Sequence, residues 1–471
     1  MQAKEDVFLR SARTETGRFI GTEDLLKELA VRQADPRYKV EAVSWDRLEG
    51  WKFDQATGNL VHGSGRFFSI EGIRVSTNFG AVPCWTQPII VQSEIGILGF
   101  LAKRFEGVLH LLVQAKMEPG NLNMVQLSPT VQATRSNYTQ AHRGLKTKYL
   151  EYFLDHSRAR VLVDQLQSEQ GARFLRKRNR NMVVETSEEV PVHEGFHWVT
   201  LGQIHALIRQ DNVVNMDARS VLSTIPLAGP GQQAGGAVEA GSRASPAVLG
   251  KGVAAGGALR THDEIISWFT ELKTRYELEV ERIPLKDVGD WARDDRRIFR
   301  KDGKYFSVIG VSVEAGDREV PRWTQPMVQP QHEGVIGFLT KRIDGTRHFL
   351  VHAKLEPGNL DVLELAPTVQ CITGSYKAAK PEDLPAFLHD ILDAPPDRVR
   401  YAAFQSEEGG RFYREQNRNM VVEAGEDFPA AVPPDFAWMT PAQMNEFIKY
   451  NNYFNVEARS LIAAVGLPEE E

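Results

Sequence analysis

Apolar positions fall along this chain in two periodicities, and each predicts a different kind of element. Up to Arg37, Leu25, Leu26, Leu29 and Val31 stand beside charged neighbours at helical spacing, and Ile265, Ile266, Phe269 and Leu272 do the same between His262 and Tyr276. Phe67-Phe68-Ser69-Ile70, Ile95 to Phe100 and Leu109 to Ala115 are short β-rich runs cut by glycine. Glu106-Gly107 reads as a hairpin turn, and Asp344-Gly345 stands at the matching place later in the chain; Asp-Gly is a strong hairpin signal. A polar segment from Gln167 to Arg178 predicts a helix, Met182 to Glu185 a strand, and Thr200 and Thr440 the N-caps of closing helices. Strands, helix, strand, helix in that order predict an α+β fold with a mainly antiparallel sheet and flanking helices. No GxGxxG follows a strand, so a dinucleotide bound by that route is not expected.

The same pattern occurs twice. Trp85-Thr86-Gln87-Pro88 recurs as Trp323-Thr324-Gln325-Pro326, Ala115 to Leu122 as Ala353 to Leu360, and Pro129 to Gln132 as Pro367 to Gln370, always 238 positions later. Roughly half the residues between Trp85 and Gln132 are identical in the second copy. The period is far longer than the roughly 20–50 residues of a solenoid unit, so it predicts a duplicated domain. Between the copies the chain turns rich in Gly, Ala and Ser and poor in aromatics, as linkers do. The expected organisation is a first domain at 1–225, a linker at 226–259 and a second domain at 260–471.

Composition narrows the class. Of 471 residues, 42% are hydrophobic and 25% charged, as in a soluble globular protein, and a net charge of −6 argues against general nucleic-acid binding. Cys84 and Cys371 do not occupy equivalent repeat positions, so neither a disulfide framework nor a cysteine zinc site is expected, which suits a reducing cytoplasm. The N-terminal MQAKEDVFLR carries charge where a signal peptide needs apolar residues, and no run approaches 18 uncharged apolar residues, so no membrane segment is expected.

Three constellations could carry chemistry. In AK-x-EPGNL a strand runs into Lys116 and Glu118 (Lys354 and Glu356 in the second copy), two positions apart and hence on one face. They could form an acid–base pair or a same-face ion pair at a turn. Trp85, Thr86 and Gln87, with Trp323, Thr324 and Gln325, suit a wall that stacks a base or sugar and reads its polar edge, or a core Trp before a turn. Gln167, Ser168, Arg173, Asn179 and Arg180, with Gln405, Ser406, Arg411, Asn417 and Arg418, could hold a diphosphate through Arg forks or form a solvated charged face. His110 and His348 match between copies, and a lone strand histidine is more often structural. No HExxH, GxSxG or P-loop occurs.

Taken together, WTQP, GFL-x-KR, H-x-LV-x-AK-x-EPGN, SPTVQATRSNYT, QSEEGGRF and NRNMVVE in a duplicated chain closely resemble the NDP-hexose 2,3-dehydratases, bacterial enzymes of deoxysugar and antibiotic biosynthesis. The resemblance covers the chain except its Gly/Ala linker. It implies tandem Nudix-like α+β domains, a homodimer, a dTDP-4-keto-6-deoxyhexose substrate and a 3-ketoreductase acting on the product. It also implies water elimination with no cofactor. Glu407-Glu408-Gly409-Gly410 echoes only the end of a Nudix box and the first copy has Glu169-Gln170, so no metal is expected. Glu118 or Glu356 is then the expected base, Lys116 or Lys354 the oxyanion or diphosphate partner, and Tyr138 or Tyr376 the acid. Arg135 and Arg178, against Thr373 and Gln416, give the first pocket extra cations and the larger expected share of turnover. The competing readings are a Nudix-type nucleotide-sugar hydrolase and a non-catalytic nucleotide-sugar binding protein.

Overall fold

A computed structural model describes residues 7–134, 147–227, 257–316, 320–376, 379–380 and 383–465. The fold is mixed α+β, with few helices on antiparallel and mixed sheets. The helix Thr22–Gln33 buries Leu25 and Leu29 and leaves Val31 exposed, a narrower apolar stripe than the sequence implies. The helix His262–Arg275 buries Ile265, Phe269 and Leu272, leaves Ile266 outside, and starts at a capping box between Thr261 and Glu264. Thr200 and Thr440 cap helices in the same way, paired with Gln203 and Gln443. The hairpin from Gly96–Phe105 to Val108–Met117 turns at Glu106 (φ 51°) and Gly107 (φ 80°), and that from Gly334–Ile343 to Thr346–Lys354 at Asp344 (φ 49°) and Gly345 (φ 81°). Two consecutive positive φ values are what a two-residue turn matched to strand twist requires.

Each half builds a seven-stranded sheet of the same order. In the first half, Arg160–Ser168, Arg178–Glu185, Gly96–Phe105, Val108–Met117 and Phe196–Val199 lie side by side, with Val125–Ser128 and Val131–Ala133 added to the two central strands. Every pairing is antiparallel except Arg178–Glu185 with Gly96–Phe105. The segment from Gln167 to Arg178 is therefore not a helix: Ser168 ends one strand, pairs with Arg178, and a loop joins them. Its polar residues misled because Gln167, Ser168 and Asn179 are buried; polarity here marks hydrogen bonding inside the protein, not a solvent face.

The two five-stranded sheets cross between the halves. Leu278–Ile283, from the second half, pairs antiparallel with Ser69–Thr77, register Leu278 to Thr77 through Ile283 to Gly72. Lys39–Val43 returns the exchange by pairing with Phe306–Glu314, Lys39 to Glu314 through Val43 to Gly310. The division at 226–259 therefore separates the chain but not the sheets. One hydrophobic cluster likewise includes Leu25, Phe100 and Val221 together with Phe269, Phe338 and Leu461.

Polar contacts cross the same seam in reciprocal pairs. Arg219 and Arg459, both fully buried, lie on the packed helices Met216–Leu222 and Val456–Val465. Arg219 donates to Ser460 Oγ (2.7 Å) and the Ser406 carbonyl (2.6 Å); Arg459 donates to the Ser168 and Phe454 carbonyls (2.5 Å each). A buried guanidinium survives only when its N–H groups are met this fully. Ser168 Oγ in turn donates to Glu364 (2.8 Å), and Ser406 Oγ to Gln126 (2.7 Å). No helix among the described residues is long and apolar enough to cross a membrane.

Two outcomes follow from this seam. A protease site engineered between residues 228 and 256, once cut, should leave the halves together on gel filtration in native buffer and release them in denaturant. Separation without denaturant would contradict the strand exchange. Glu364 tests the buried network: burial pushes its carboxyl up to about 8 from 4.5, against the pull of Ser168 and Arg459. The folded chain then keeps a proton that the unfolded chain loses, so this group's stabilisation is complete below about pH 4.5 and fades as pH rises towards 8. Glu364→Gln cannot ionise, so its Tm relative to wild type should grow more favourable between about pH 5 and pH 9. A pH-independent difference would show that Glu364 holds no such proton.

Candidate functional site

The first AK-x-EPGNL segment ends the strand Val108–Met117 and turns sharply, with Glu118 N–H donating to the Met124 carbonyl (3.0 Å) and Asn121 N–H to the Glu118 carbonyl (3.2 Å). The turn docks on the other half. Gly120 N–H donates to the Gly409 carbonyl (2.7 Å), and Arg414 N–H donates to the Gly120 carbonyl (2.7 Å). A Cβ on Gly120 would lie 1.8 Å from the Phe412 carbonyl oxygen, so only glycine fits. Gly358 repeats the arrangement against Gly171 and Phe174, again with 1.8 Å to a carbonyl oxygen.

This docking fixes Glu118 among amides and carboxylates. Gln132 Nε2 donates to its Oε1 (2.6 Å), Asn215 Nδ2 to its Oε2 (2.9 Å), and Lys116 Nζ stands 4.0 Å from Oε1. Asn215 also caps the helix Met216–Leu222 by accepting from Ala218 N–H (2.9 Å), which brings the next acid, Asp217, to the same place. Oxygens of Glu118, Asp217 and Glu408 all lie within 4.8 Å of one another, close enough for the charge of each to oppose ionisation of the others. Burial pushes Asp217 well above the ordinary carboxylate range, reinforced by Glu169, Glu408 and Glu118. Burial likewise takes Glu408 up to about 7, with Arg411 pulling the other way and Glu118 and Glu169 adding to the rise.

The second pocket is similar but not equal. Lys354 Nζ lies 3.1 Å from Glu356 Oε1, Gln370 Nε2 donates to that oxygen (3.0 Å), and Asn455 Nδ2 donates to Gln370 Oε1 (2.8 Å). Glu457 takes the place of Asp217, and burial followed by Glu356 and Glu407 raises it well above its ordinary value. Where the first pocket has Glu408, the second has Gln170, buried and donating its amide to Glu407.

The other expected residues divide between these pockets and the seam. Trp85 and Trp323 each donate Nε1 to their own Gln87 or Gln325 (2.9 and 3.0 Å), and those glutamines reach the Ala172 and Gly410 carbonyls (3.1 and 2.6 Å). Thr86 and Thr324 face the opposite half, with carbonyls accepting from Trp291 (3.3 Å) and Trp51 (3.0 Å). Gln167 and Gln405 donate to the Ile448 and Ile208 carbonyls (2.8 and 2.7 Å), and with Ser168 and Ser406 they stitch the halves together. Arg173 stacks over Phe306 (4.3 Å) and Arg411 over Phe68 (4.2 Å). The charge of Arg411 faces Glu408, Glu118, Glu94 and Asp217.

Asn179 and Asn417 accept from Gly96 and Gly334 N–H (3.1 and 2.8 Å) and donate to Glu169 and Glu407. Arg180 pairs with Asp164 (2.6 Å) near the surface, and Arg418 is exposed. Tyr376 sits in a short turn, where burial beside Cys371 and Tyr305 pushes its hydroxyl up. Arg135 and Tyr138 lie outside the described residues.

The structure sets each Lys–Glu pair against the Glu/Gln-Gly-x-Arg loop of the other copy. The sequence reading passed over Asn215 and Asp217. Their signal was present: Asn215-Met216-Asp217-Ala218-Arg219-Ser220 recurs as Asn455-Val456-Glu457-Ala458-Arg459-Ser460.

The family model for NDP-hexose 2,3-dehydratase matches residues 22–225 and again 262–465. A dTDP-4-dehydro-6-deoxy-α-D-glucopyranose 2,3-dehydratase of Saccharopolyspora spinosa is 51% identical over 97% of this chain and 94% of its own. Proteins of that same description from Amycolatopsis orientalis (45%; 97% and 92% covered) and Streptomyces violaceoruber (47%; 93% and 95%) are similar throughout. A solved structure described as an ADP compounds hydrolase is 16% identical with a TM-score of 0.23, covering 34% of this chain and 84% of its own, too slight a likeness to argue from. On the family match and the near full-length relatives, the chain belongs to the NDP-hexose 2,3-dehydratase family.

Proposed function

We propose that this chain is a hydro-lyase that removes water from dTDP-4-keto-6-deoxy-D-glucose to give the 3,4-diketo-2,6-dideoxy sugar. What carries the reading is the near full-length similarity to relatives named for that reaction. The pocket chemistry suits it. A C4 carbonyl acidifies the C3 hydrogen, so a base removes that proton to give an enolate. The C2 hydroxyl then leaves as water with a proton from an acid, and the resulting enol tautomerises to the diketone. Oxidation at C3 and reduction at C2 cancel, so no external oxidant or reductant is consumed.

In this proposal Glu118 is the base, oriented by Gln132 and Asn215, and Lys116 stabilises the oxyanion or the diphosphate. Glu356 and Lys354 hold the same places in the second pocket, and Tyr138 or Tyr376 supplies the acid. Trp85 or Trp323 and the Arg173/Arg180 or Arg411/Arg418 pairs receive the nucleotide. The chain is read as tandem Nudix-like units from a duplication, a cytoplasmic homodimer whose product passes to a 3-ketoreductase.

Glu118→Gln keeps the shape of the base and removes its basicity. It should slow diketone formation, followed through a trapping reductase, by about a hundred- to ten-thousandfold, the usual worth of a general base. Glu356→Gln should cost far less if the first pocket carries most of the turnover. Normal rates in Glu118→Gln with loss in Glu356→Gln would move the chemistry to the second pocket, and normal rates in both would remove the glutamates from the mechanism.

A further inference from the structure

Glu408 belongs to the second half by sequence and to the first pocket by position. Its loop is brought there by the Gly120–Gly409 backbone contact, and it places a third carboxylate within 4.8 Å of Glu118 and Asp217. We infer that Glu408 is a positioning residue for the first pocket: it and Asp217 hold a proton beside Glu118, and Glu408 thereby sets the pH range over which the first pocket turns over. The inference rests on the proposed role of Glu118 as base.

Charge bookkeeping around the cluster supports it. Glu408 faces Arg411 on its own loop and Glu118, Asp217, Glu169 and Lys177 from the first half. Lys116 stands beside Glu118 and Asp217, and Glu94 faces Lys177 and Arg411. Arg459 also faces Glu169, and the five carboxylates still outnumber the four cations Lys116, Lys177, Arg411 and Arg459. Glu118 and Asp217 are buried, and Glu408 Oε2 is sealed from solvent with no hydrogen-bond donor among the described residues. Like charges this close, with little water to screen them, do not all ionise together, so the last proton stays in the cluster near neutral pH. Burial moves Asp217 and Glu408 in the direction this requires.

The chain also contains a version of the pocket without this device. Gln170 fills the matching place in the second pocket, and its amide, fixed to Glu407, has no proton to exchange near neutral pH. Glutamine is thus tolerated in this loop, and Glu408→Gln changes charge with little change of shape.

The experiment is the pH profile of kcat/KM for diketone formation in the full chain, freed of metal ions with EDTA. Removing the negative charge of Glu408 stabilises ionisation of the carboxyls that remain. Glu408 carries that charge only after losing its proton, so the alkaline limb of the Glu408→Gln profile should move towards acid by about one pH unit, about tenfold in rate there, while the acid limb stays in place. Glu408→Asp, which keeps a titrating group, should restore most of the wild-type profile. Asp217→Asn removes the other neighbouring charge and should move the alkaline limb the same way; it decides the matter if Glu408→Gln does not accumulate folded. An active Glu408→Gln enzyme with an unmoved profile overturns the inference alone. A wild-type chain that forms no diketone at any pH overturns the proposed reaction and this inference with it.

Discussion

Both candidate pockets depend on a backbone contact too close for any side chain. Gly120 and Gly358 each press onto the other half with their would-be Cβ positions 1.8 Å from a carbonyl oxygen, and each is held by a pair of 2.7 Å peptide hydrogen bonds. Peptide groups in such contact cannot slide without losing both bonds, so the two turns are registered to a fraction of an ångström. Glu118 is two residues before one of these glycines, and Glu408 is adjacent to the glycine that receives it. Their mutual distance is set by the docking of the halves rather than by either half's own sheet. Pro-Gly-Asn in the motif thus serves as the joint that assembles the pocket.

Local features were legible because they are decided locally. Glu106-Gly107 and Asp344-Gly345 tolerate positive φ, Thr200 and Thr440 can cap, and Ile265, Phe269 and Leu272 share a helix face; none of these depends on a distant partner. Strand exchange is different in kind. When a chain carries the same pattern twice, pairing Leu278–Ile283 with its own copy or with Ser69–Thr77 of the other satisfies the same alternation of faces. Periodicity reports which residues are buried and is silent about which copy buries them. The cross-copy pocket was invisible for the same reason.

Retention in both copies has a structural cause for several of these residues. Gln167, Ser168, Gln405 and Ser406 recur because buried polar groups must find partners, here the Ile448 and Ile208 carbonyls, Glu364 and Gln126. Breaking such a buried bond costs about 1–3 kcal/mol, enough to hold a residue in place with no ligand in view. Asn215 caps a helix through one side-chain atom and donates to Glu118 through the other, so the helix start and the carboxylate move as one piece.

With the glycine contacts held in common, the two pockets differ in their side chains. Lys354 closes on Glu356 at 3.1 Å, while Lys116 stands off Glu118 at 4.0 Å. Both oxygens of Glu118 take amide donors; Oε2 of Glu356 has none among the described residues. The first carboxylate is thus oriented by neutral groups that do not consume its charge, and the second is spent largely on its lysine. Asp217 against Glu457 and Glu408 against Gln170 extend the contrast. Each of these exchanges leaves the peptide contacts at Gly120 and Gly358 untouched. The backbone hydrogen bonds that seat Gly120 and Gly358 are therefore common to two pockets of different charge.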